Sequence, residues 1–199
     1  MYNIQPRVQG VTAELLTLFD QVDASTVGHF TDFGYVRGIQ PLFRPINLLG
    51  NAVTVRIPHM DGSVIREALQ LCQPQDVLVI DVSGDDHRAC WGELRTLSAM
   101  AKKLAGVVVS GCATDVRAIT TLGFPVFSKS VSALTTRALN IEGEVNTPIC
   151  VGGASVKPGD LVLGDDDGVF ILDPQQAIKL GQLANEKQLK EQELRKQWL

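Results

Sequence analysis

Long apolar runs are missing from this 199-residue sequence: none approaches the roughly 18–20 uninterrupted apolar residues that a membrane span requires, and the longest, such as Val77 to Ile80 and Val107 to Val109, are strand-sized. Met1–Gly10 also lacks the basic segment and following apolar run of a secretory leader, so a cytoplasmic protein is expected. No C-x-x-C pair joins Cys72, Cys90, Cys112 or Cys150, which speaks against a zinc site or a disulfide framework. The four cysteines read as small core residues or spectators. A run of one charge sign is absent as well. Acids and bases are interspersed at a net charge of −4, which offers no stripe to a polyphosphate backbone and excludes direct nucleic-acid binding. No G-x-G-x-x-G or Walker A loop is present, so nucleotide-binding readings fall away.

What is present suffices for a folded core. Apolar residues make up 45% of the chain, and its length suits one domain spanning 1–199. Within it, an N-terminal helix in 1–27, a core at 50–172 and a C-terminal helix at 174–199 are expected. Val11–Val22 carries apolar residues at 11, 15, 18, 19 and 22, a helical spacing. Residues 28–50, rich in Gly, Pro and aromatics, read as an irregular connection. Ala52–Ile57 alternates as a strand, and Ser63–Cys72 reads as a short helix before Pro74. The last third holds short strands around Ile149–Val151, Leu161–Leu163 and Val169–Leu172, with Asp167-Gly168 at a hairpin turn. From Pro174 onward a Gln/Lys/Glu-rich helix has few large apolar residues, as in a surface helix or an arm to a neighbouring subunit.

The middle is the informative part. Asp76–Val82 (DVLVIDV) is the continuous apolar run of a strand covered on both faces. Ser83-Gly84-Asp85-Asp86 breaks it. From Cys90, apolar residues at 90, 94, 97, 101 and 104 predict an amphipathic helix, closed by Gly106. Val107–Ser110 then forms a second buried strand, giving a parallel βαβ core. Val116–Leu122 reads as another helix, and Pro125–Phe127 begins a further strand.

Parallel strands place the turns after their C-terminal ends along one sheet edge, where α/β proteins bind ligands. That edge collects Asp81, Ser83, Gly84, Asp85 and Asp86 from the first turn. The second supplies Ser110, Gly111, Thr114 and Asp115, and Gly92-Glu93-Leu94-Arg95 opens the helix between them. Helix N-termini attract anions, and neighbouring carboxylates suit Mg²⁺ or Mn²⁺. Asp and Thr are also favoured helix N-caps, the bland explanation of the same residues.

Several blocks carry a resemblance: Ala52-Val53-Thr54-Val55, Asp76 to Asp81, Trp91-Gly92-Glu93-Leu94, Gly106 to Val109, Leu122 to Phe127, Gly143 to Pro148, Gly152-Gly153, Val156 to Asp160 and Asp165 to Val169. Over roughly residues 50–172 the chain resembles the RraA-like family, which includes the 4-hydroxy-4-methyl-2-oxoglutarate and 4-carboxy-4-hydroxy-2-oxoadipate aldolases. The resemblance implies an α/β fold of the swivelling β/β/α type, with short C-terminal antiparallel strands and a C-terminal helix. It also implies a homotrimer or hexamer with active sites between subunits. Catalytic members use Mg²⁺ or Mn²⁺ to cleave 4-hydroxy-2-oxo acids to pyruvate, and often decarboxylate oxaloacetate. The implied partner is therefore a small 2-oxo acid, with neither nucleic acid nor membrane.

The family signature is an acid, twenty intervening residues, then Arg-Asp. Here the acid is Glu93, and Thr114 and Asp115 follow; the aspartate is kept and the arginine is not. By resemblance, Asp115 holds the ion, amides around Gly92, Leu94 and Arg95 take the substrate carboxylate, and Glu93 positions water or relays protons. Thr114 supplies part of the missing arginine's role. Arg117, one helical turn on, and Arg95, at a usually apolar family position, are candidates to compensate. Glu186, Glu191 and Glu193 are candidates for a carboxylate entering a neighbouring site. His87 reads as structural or solvated, and Asp165-Asp166-Asp167 as a hairpin turn. Arg137, Glu142 and Glu144 border the site without a clear role. The alternative is a non-catalytic regulator of ribonuclease activity that binds ribonuclease E, and a third is a related lyase or hydro-lyase on a different acid.

Overall fold

A computed structural model describes residues 1–85 and 87–198; Asp86, one of the acids expected in the first turn, lies outside the described residues. Its strands are β1 (Tyr2–Ile4), β2 (Gln40–Pro41), β3 (Leu48–Pro58), β4 (Asp76–Ser83), β5 (Ala89–Trp91), β6 (Gly106–Ala113), β7 (Val126–Val131), β8 (Gly143–Val145), β9 (Ile149–Val151), β10 (Ala154–Val156), β11 (Leu161–Asp165) and β12 (Gly168–Leu172). The helices are α1 (Ala13–Phe19), α2 (Ala24–Gly28), α3 (Ile65–Leu71), α4 (Glu93–Ala101), α5 (Val116–Leu122) and α6 (Pro174–Trp198).

The main sheet runs β1-β8-β3-β4-β6-β7-β2, with β3, β4, β6 and β7 parallel. Strict alternation along the central strands sets the layers. On β4, Leu78 and Ile80 pack with Ile65, Ala68 and Leu69 of α3, Ala99 of α4 and Ile119 of α5. Val77 and Val79 point the other way, onto Val151, Ala154 and Val156 of the β9–β10 hairpin. Each such side chain contributes roughly 1.5–3 kcal/mol by leaving water. The result is the expected three-layer β/β/α arrangement. A third cluster seats α1 and α6 on the β11–β12 hairpin through Val11, Leu15, Phe19, Ala177 and Ala184.

The predicted βαβ unit and the α5 helix are present, but four local expectations change. Residues 1–27, expected as one helix, hold β1, which pairs with β8, and then the short α1 and α2. Residues 28–50 are not wholly irregular, because β2 pairs with β7. The predicted helix from Cys90 starts three residues later, at Glu93, because Ala89–Trp91 becomes strand β5 against the end of β6. That shift changes which face is inward. Leu94 is 81% exposed, and Leu97 and Met100 are exposed beside it, while Thr96 and Ala99 are buried. In the hairpin, Asp165 pairs with Gly168, so the turn is centred on Asp166-Asp167 rather than on Asp167-Gly168. Its acids are structural: Asp165 accepts the amides of Ala24 (2.7 Å) and Asp167 (2.9 Å), and Asp166 that of Ile46 (2.8 Å).

Two buried carboxylates tie distant segments to this frame. Asp76, at the start of β4, is fully buried and paired in a fork with Arg7, at 2.6 and 2.7 Å. Asn51 and the Gln73 amide donate to the same carboxylate at 3.2 and 2.7 Å. Asp61 follows β3 and accepts from the Ser63 hydroxyl and from the amides of Ser63, Leu139 and Ile141. Burial pushes its carboxyl up, but the Ser63 hydroxyl and the three amides outweigh that and hold it at about 2.

Asp76→Ala strands the half-buried Arg7 cation and is expected to cost about 3–5 kcal/mol in denaturant unfolding. Asp61 has a folded value below its ordinary one, so its contribution is complete above about pH 4 and fades as pH falls toward about 2. Unfolding free energy measured across that window should fall more steeply in the parent chain than in Asp61→Asn.

Candidate functional site

β4 and β6 are parallel, so the segments after them meet at one sheet edge. Their own pairing ends at Ile80–Val109, and the Val82 amide then donates to the Ser110 hydroxyl oxygen at 2.7 Å. Beyond that point β5 takes the place of β4, pairing Ala89 with Cys112 and Trp91 with Ala113. This exchange brings Gly92-Glu93 against Thr114-Asp115. The Thr114 amide donates to the Trp91 carbonyl at 2.8 Å. The buried Trp91 indole donates to the Thr96 hydroxyl (2.9 Å), which donates to the Gly92 carbonyl (3.0 Å), so the loop is braced from beneath.

Asp115 has left-handed backbone angles, φ 56° and ψ 35°, which non-glycine residues adopt at a cost. It stands at the N-cap of α5, yet its side chain makes no capping bond there. Instead its Oδ2 accepts the Glu93 amide at the start of α4, at 3.0 Å. The bland capping role at its own helix is therefore not what places this aspartate. Gly92 leaves room for it: a Cβ at 92 would sit 2.5 Å from Asp115 Oδ2 and 2.9 Å from Thr114 Cγ2. The ladder of α4 begins with the Thr96 amide on the Gly92 carbonyl. The amides of Leu94 and Arg95 consequently have no acceptor among the described residues.

Asp115, Glu93 and Arg117 are exposed and Thr114 is half-buried. The Glu93 carboxylate, the Thr114 hydroxyl and the Arg117 guanidinium point to no partner among the described residues. Arg95 goes elsewhere. Its guanidinium donates to the carbonyls of Cys90 and of Gly62 (3.0 Å). Among the described residues no group of three His, Cys, Asp or Glu could enclose a metal. One exposed carboxylate oxygen, on an aspartate joined through space to the Glu93 amide, is a donor set that suits a hard divalent ion keeping most of its water, and not a protein cage.

The first turn is divided between two places. Asp81, expected with Asp115, pairs instead with Arg56 at 3.6 Å, and Arg56 also holds Glu144 at 2.8 Å. Burial pushes the Asp81 carboxyl up against the pull of Arg56, with Glu144 adding repulsion. Ser83 and Gly84 join Arg56, His59, Glu142 and Glu144 around a cleft of about 530 Å³. Sequence reading missed Arg56 and His59, because only the β3–β4 and β3–β8 pairings bring them there. His87 is exposed, with its amide on Asp85 Oδ1 (3.0 Å). On α6, Glu191 is bound by Lys187 and Arg195 and Glu193 by Lys196, whereas Glu186 has no partner among the described residues.

A family model described as RraA-like, Aldolase/RraA, matches residues 16–171. A Halalkalibacterium halodurans protein bearing the name "Putative 4-hydroxy-4-methyl-2-oxoglutarate aldolase" is 36% identical over 150 residues, 75% of this chain and 71% of that one. An uncharacterized protein of Methanocaldococcus jannaschii is 33% identical over 161 residues, 79% of this chain and 76% of its own. The crystal structure of Streptomyces coelicolor RraAS2, described as an unusual member of the RNase ES inhibitor RraA protein family, superposes with a TM-score of 0.82. It is 25% identical, covering 94% of this chain and 98% of that one.

Gly92 has ordinary extended angles, so any cost of a side chain there is steric. Gly92→Ala is expected to lose about 1–3 kcal/mol of stability in denaturant titration, and a crystal structure of the variant should show the Asp115 carboxylate displaced from the Glu93 amide.

Proposed function

The chain belongs to the RraA-like family, and on that premise we propose that it is a divalent-metal-dependent lyase acting on a small 2-oxo acid. Pyruvate would be released by retro-aldol cleavage of a 4-hydroxy-2-oxo acid, by decarboxylation of oxaloacetate, or by both. The observation that carries this reading is the left-handed Asp115, whose carboxylate leaves its own helix uncapped to stand over the start of α4. Backbone strain at an exposed acid on the C-terminal edge of parallel strands points to function.

Cleavage leaves an enolate whose oxygen gains negative charge, and a bound Mg²⁺ or Mn²⁺ supplies the Lewis acidity that stabilises it. Asp115 would hold the ion through the carboxylate oxygen that the Glu93 amide leaves free. The unclaimed amides of Leu94 and Arg95 would take the substrate carboxylate, aided by the positive end of α4. Gly92, lacking a side chain, keeps that approach open. The unpaired Glu93 carboxylate would pass a proton to or from the reacting carbon or hydroxyl. Thr114 contributes a neutral hydrogen bond where relatives with the family signature have arginine, and losing such a charged donor costs ~10²–10³ in rate. Arg117, one turn along and without a partner among the described residues, would restore part of it.

The exposed apolar residues are read here as an assembly surface. Leu94, Leu97 and Met100 of α4 are exposed apolar residues, as are Val131, Leu134, Leu139 and Ile141. Exposed apolar residues of this size suit an interface, so the site is read as lying between subunits of a homotrimer or hexamer. Glu186, the α6 acid with no partner among the described residues, is the one of the three whose carboxylate would be free to serve a neighbouring site. Among the described residues no helix is long and apolar enough to cross a membrane. A second reading, a regulator that binds ribonuclease E, is favoured by Thr114 at the arginine position and by the likeness to RraAS2.

One assay separates the two. Purified protein with Mg²⁺ or Mn²⁺ and either oxaloacetate or 4-hydroxy-4-methyl-2-oxoglutarate, with pyruvate coupled to NADH oxidation, should show turnover that chelation abolishes. Asp115→Ala should lower it by about 10²-fold or more. Turnover indifferent to Asp115 removes the lyase mechanism; absence of turnover together with binding of ribonuclease E establishes the regulator.

A further inference from the structure

The Gly92 carbonyl and the Glu93 amide are the two ends of one planar peptide unit, and in a trans peptide they point in opposite directions. On one side, the carbonyl accepts both the amide and the hydroxyl of Thr96, each at 3.0 Å. On the other, the Glu93 amide donates to Asp115 Oδ2 at 3.0 Å. One donor on a carbonyl leaves the peptide plane free to swing about that bond. A second donor, on the other lone pair, sets its tilt. Thr96 therefore sets the direction of the Glu93 N–H from beneath. The hydroxyl is itself aimed. Thr96 is fully buried, and its oxygen receives the Trp91 indole N–H at 2.9 Å. An indole only donates, so the hydroxyl's own hydrogen goes to the Gly92 carbonyl. Trp91 is held in turn. It is 1% exposed, its backbone pairs with Ala113 at the end of β6, and its ring lies nearly parallel to Phe124, at 15° with centroids 6.5 Å apart.

We infer that Thr96 and Trp91 are positioning residues for the Asp115 carboxylate: the series of indole, hydroxyl, peptide plane and amide fixes Oδ2 and leaves Oδ1 for a cation. Only the cation rests on the lyase reading of the same site; the positioning stands on the hydrogen bonds themselves. Threonine hydroxyls bond back to the carbonyl four residues earlier in many helices, and a threonine that only fills space makes the opposite prediction. For a space-filling residue, valine matches the shape and serine leaves a methyl-sized gap, so serine is the damaging change. For a positioning hydroxyl the order reverses.

Amide hydrogen exchange of Glu93 against that of Leu94 reads the bond directly, because the Leu94 amide has no acceptor among the described residues. In the full chain without metal, the Glu93 amide should exchange about 10-fold more slowly than that of Leu94, each relative to its intrinsic rate, as one charge-assisted hydrogen bond provides. Thr96→Val should remove most of that protection and Trp91→Phe part of it, whereas Thr96→Ser should retain it. Mn²⁺ binding, followed by the electron paramagnetic resonance of the free ion, should weaken about 10-fold in Thr96→Val and stay near the parent value in Thr96→Ser. A Glu93 amide no slower than Leu94 in the parent chain overturns the inference without any variant having to fold. Protection that survives both Thr96→Val and Trp91→Phe, or that valine keeps and serine loses, overturns it as well. A parent chain that binds no Mn²⁺, or a Thr96→Val protein that loses protection yet binds Mn²⁺ unchanged, takes the ion of the lyase reading away from Asp115 and leaves the positioning standing.

Discussion

One hydrogen bond organises the sheet edge: the Asp115 carboxylate accepting the Glu93 amide across the gap between the end of β6 and the start of α4. It depends on β5 replacing β4 beside β6, since that exchange alone brings Gly92 within contact of Thr114 and Asp115. A carboxylate that takes one amide of a helix start leaves the others unpaired, and those remaining donors with the dipole behind them are what the proposed lyase would use to hold an anion. The same bond fixes one carboxylate oxygen and leaves the second available to a cation. In the proposed lyase, one contact would thus prepare both the anion site and the cation site.

Polar tethers elsewhere hold that edge still. Asp61 secures the turn after β3 to the 139–141 segment, and Gly62 in the same turn accepts Arg95, so the flank of α4 is fastened to the sheet through a chain of charged and main-chain groups. At the opposite end of β4, Asp76 binds Arg7 and, through Asn51, the backbone of residues 8, 10 and 11. The N-terminal segment is therefore locked to the sheet at both ends, by β1 pairing with β8 at one and by this ion pair at the other.

The apolar stripe of α4 is the counterpart of this rigidity. Leu94, Leu97 and Met100 recur on one helix face yet remain outside the core, which takes Thr96 and Ala99 instead. A buried threonine is tolerated there because its hydroxyl is satisfied at both ends, by Trp91 and by the Gly92 carbonyl. The helix thus packs its small residues inward and leaves its large ones on the surface near its start.

Sequence alone determined the strand–helix–strand unit from Asp76 to Val109, the extent of α5, and the edge where Glu93, Thr114 and Asp115 meet. Apolar periodicity and helix-stop residues are local signals, and parallel topology follows from the connection length. The resemblance to RraA-like proteins was legible too, because it resides in ordered blocks of residues. Only the tertiary structure decided that Cys90 belongs to a strand, since three residues pair or coil according to whether a free strand edge lies beside them. It alone decided that Asp81 serves Arg56 rather than the Asp115 edge, that Arg95 turns to Gly62, and that Asp115 faces α4 instead of capping α5. Each of these depends on which distant backbone arrives within about 3 Å, a matter of non-local register that no spacing along the chain records.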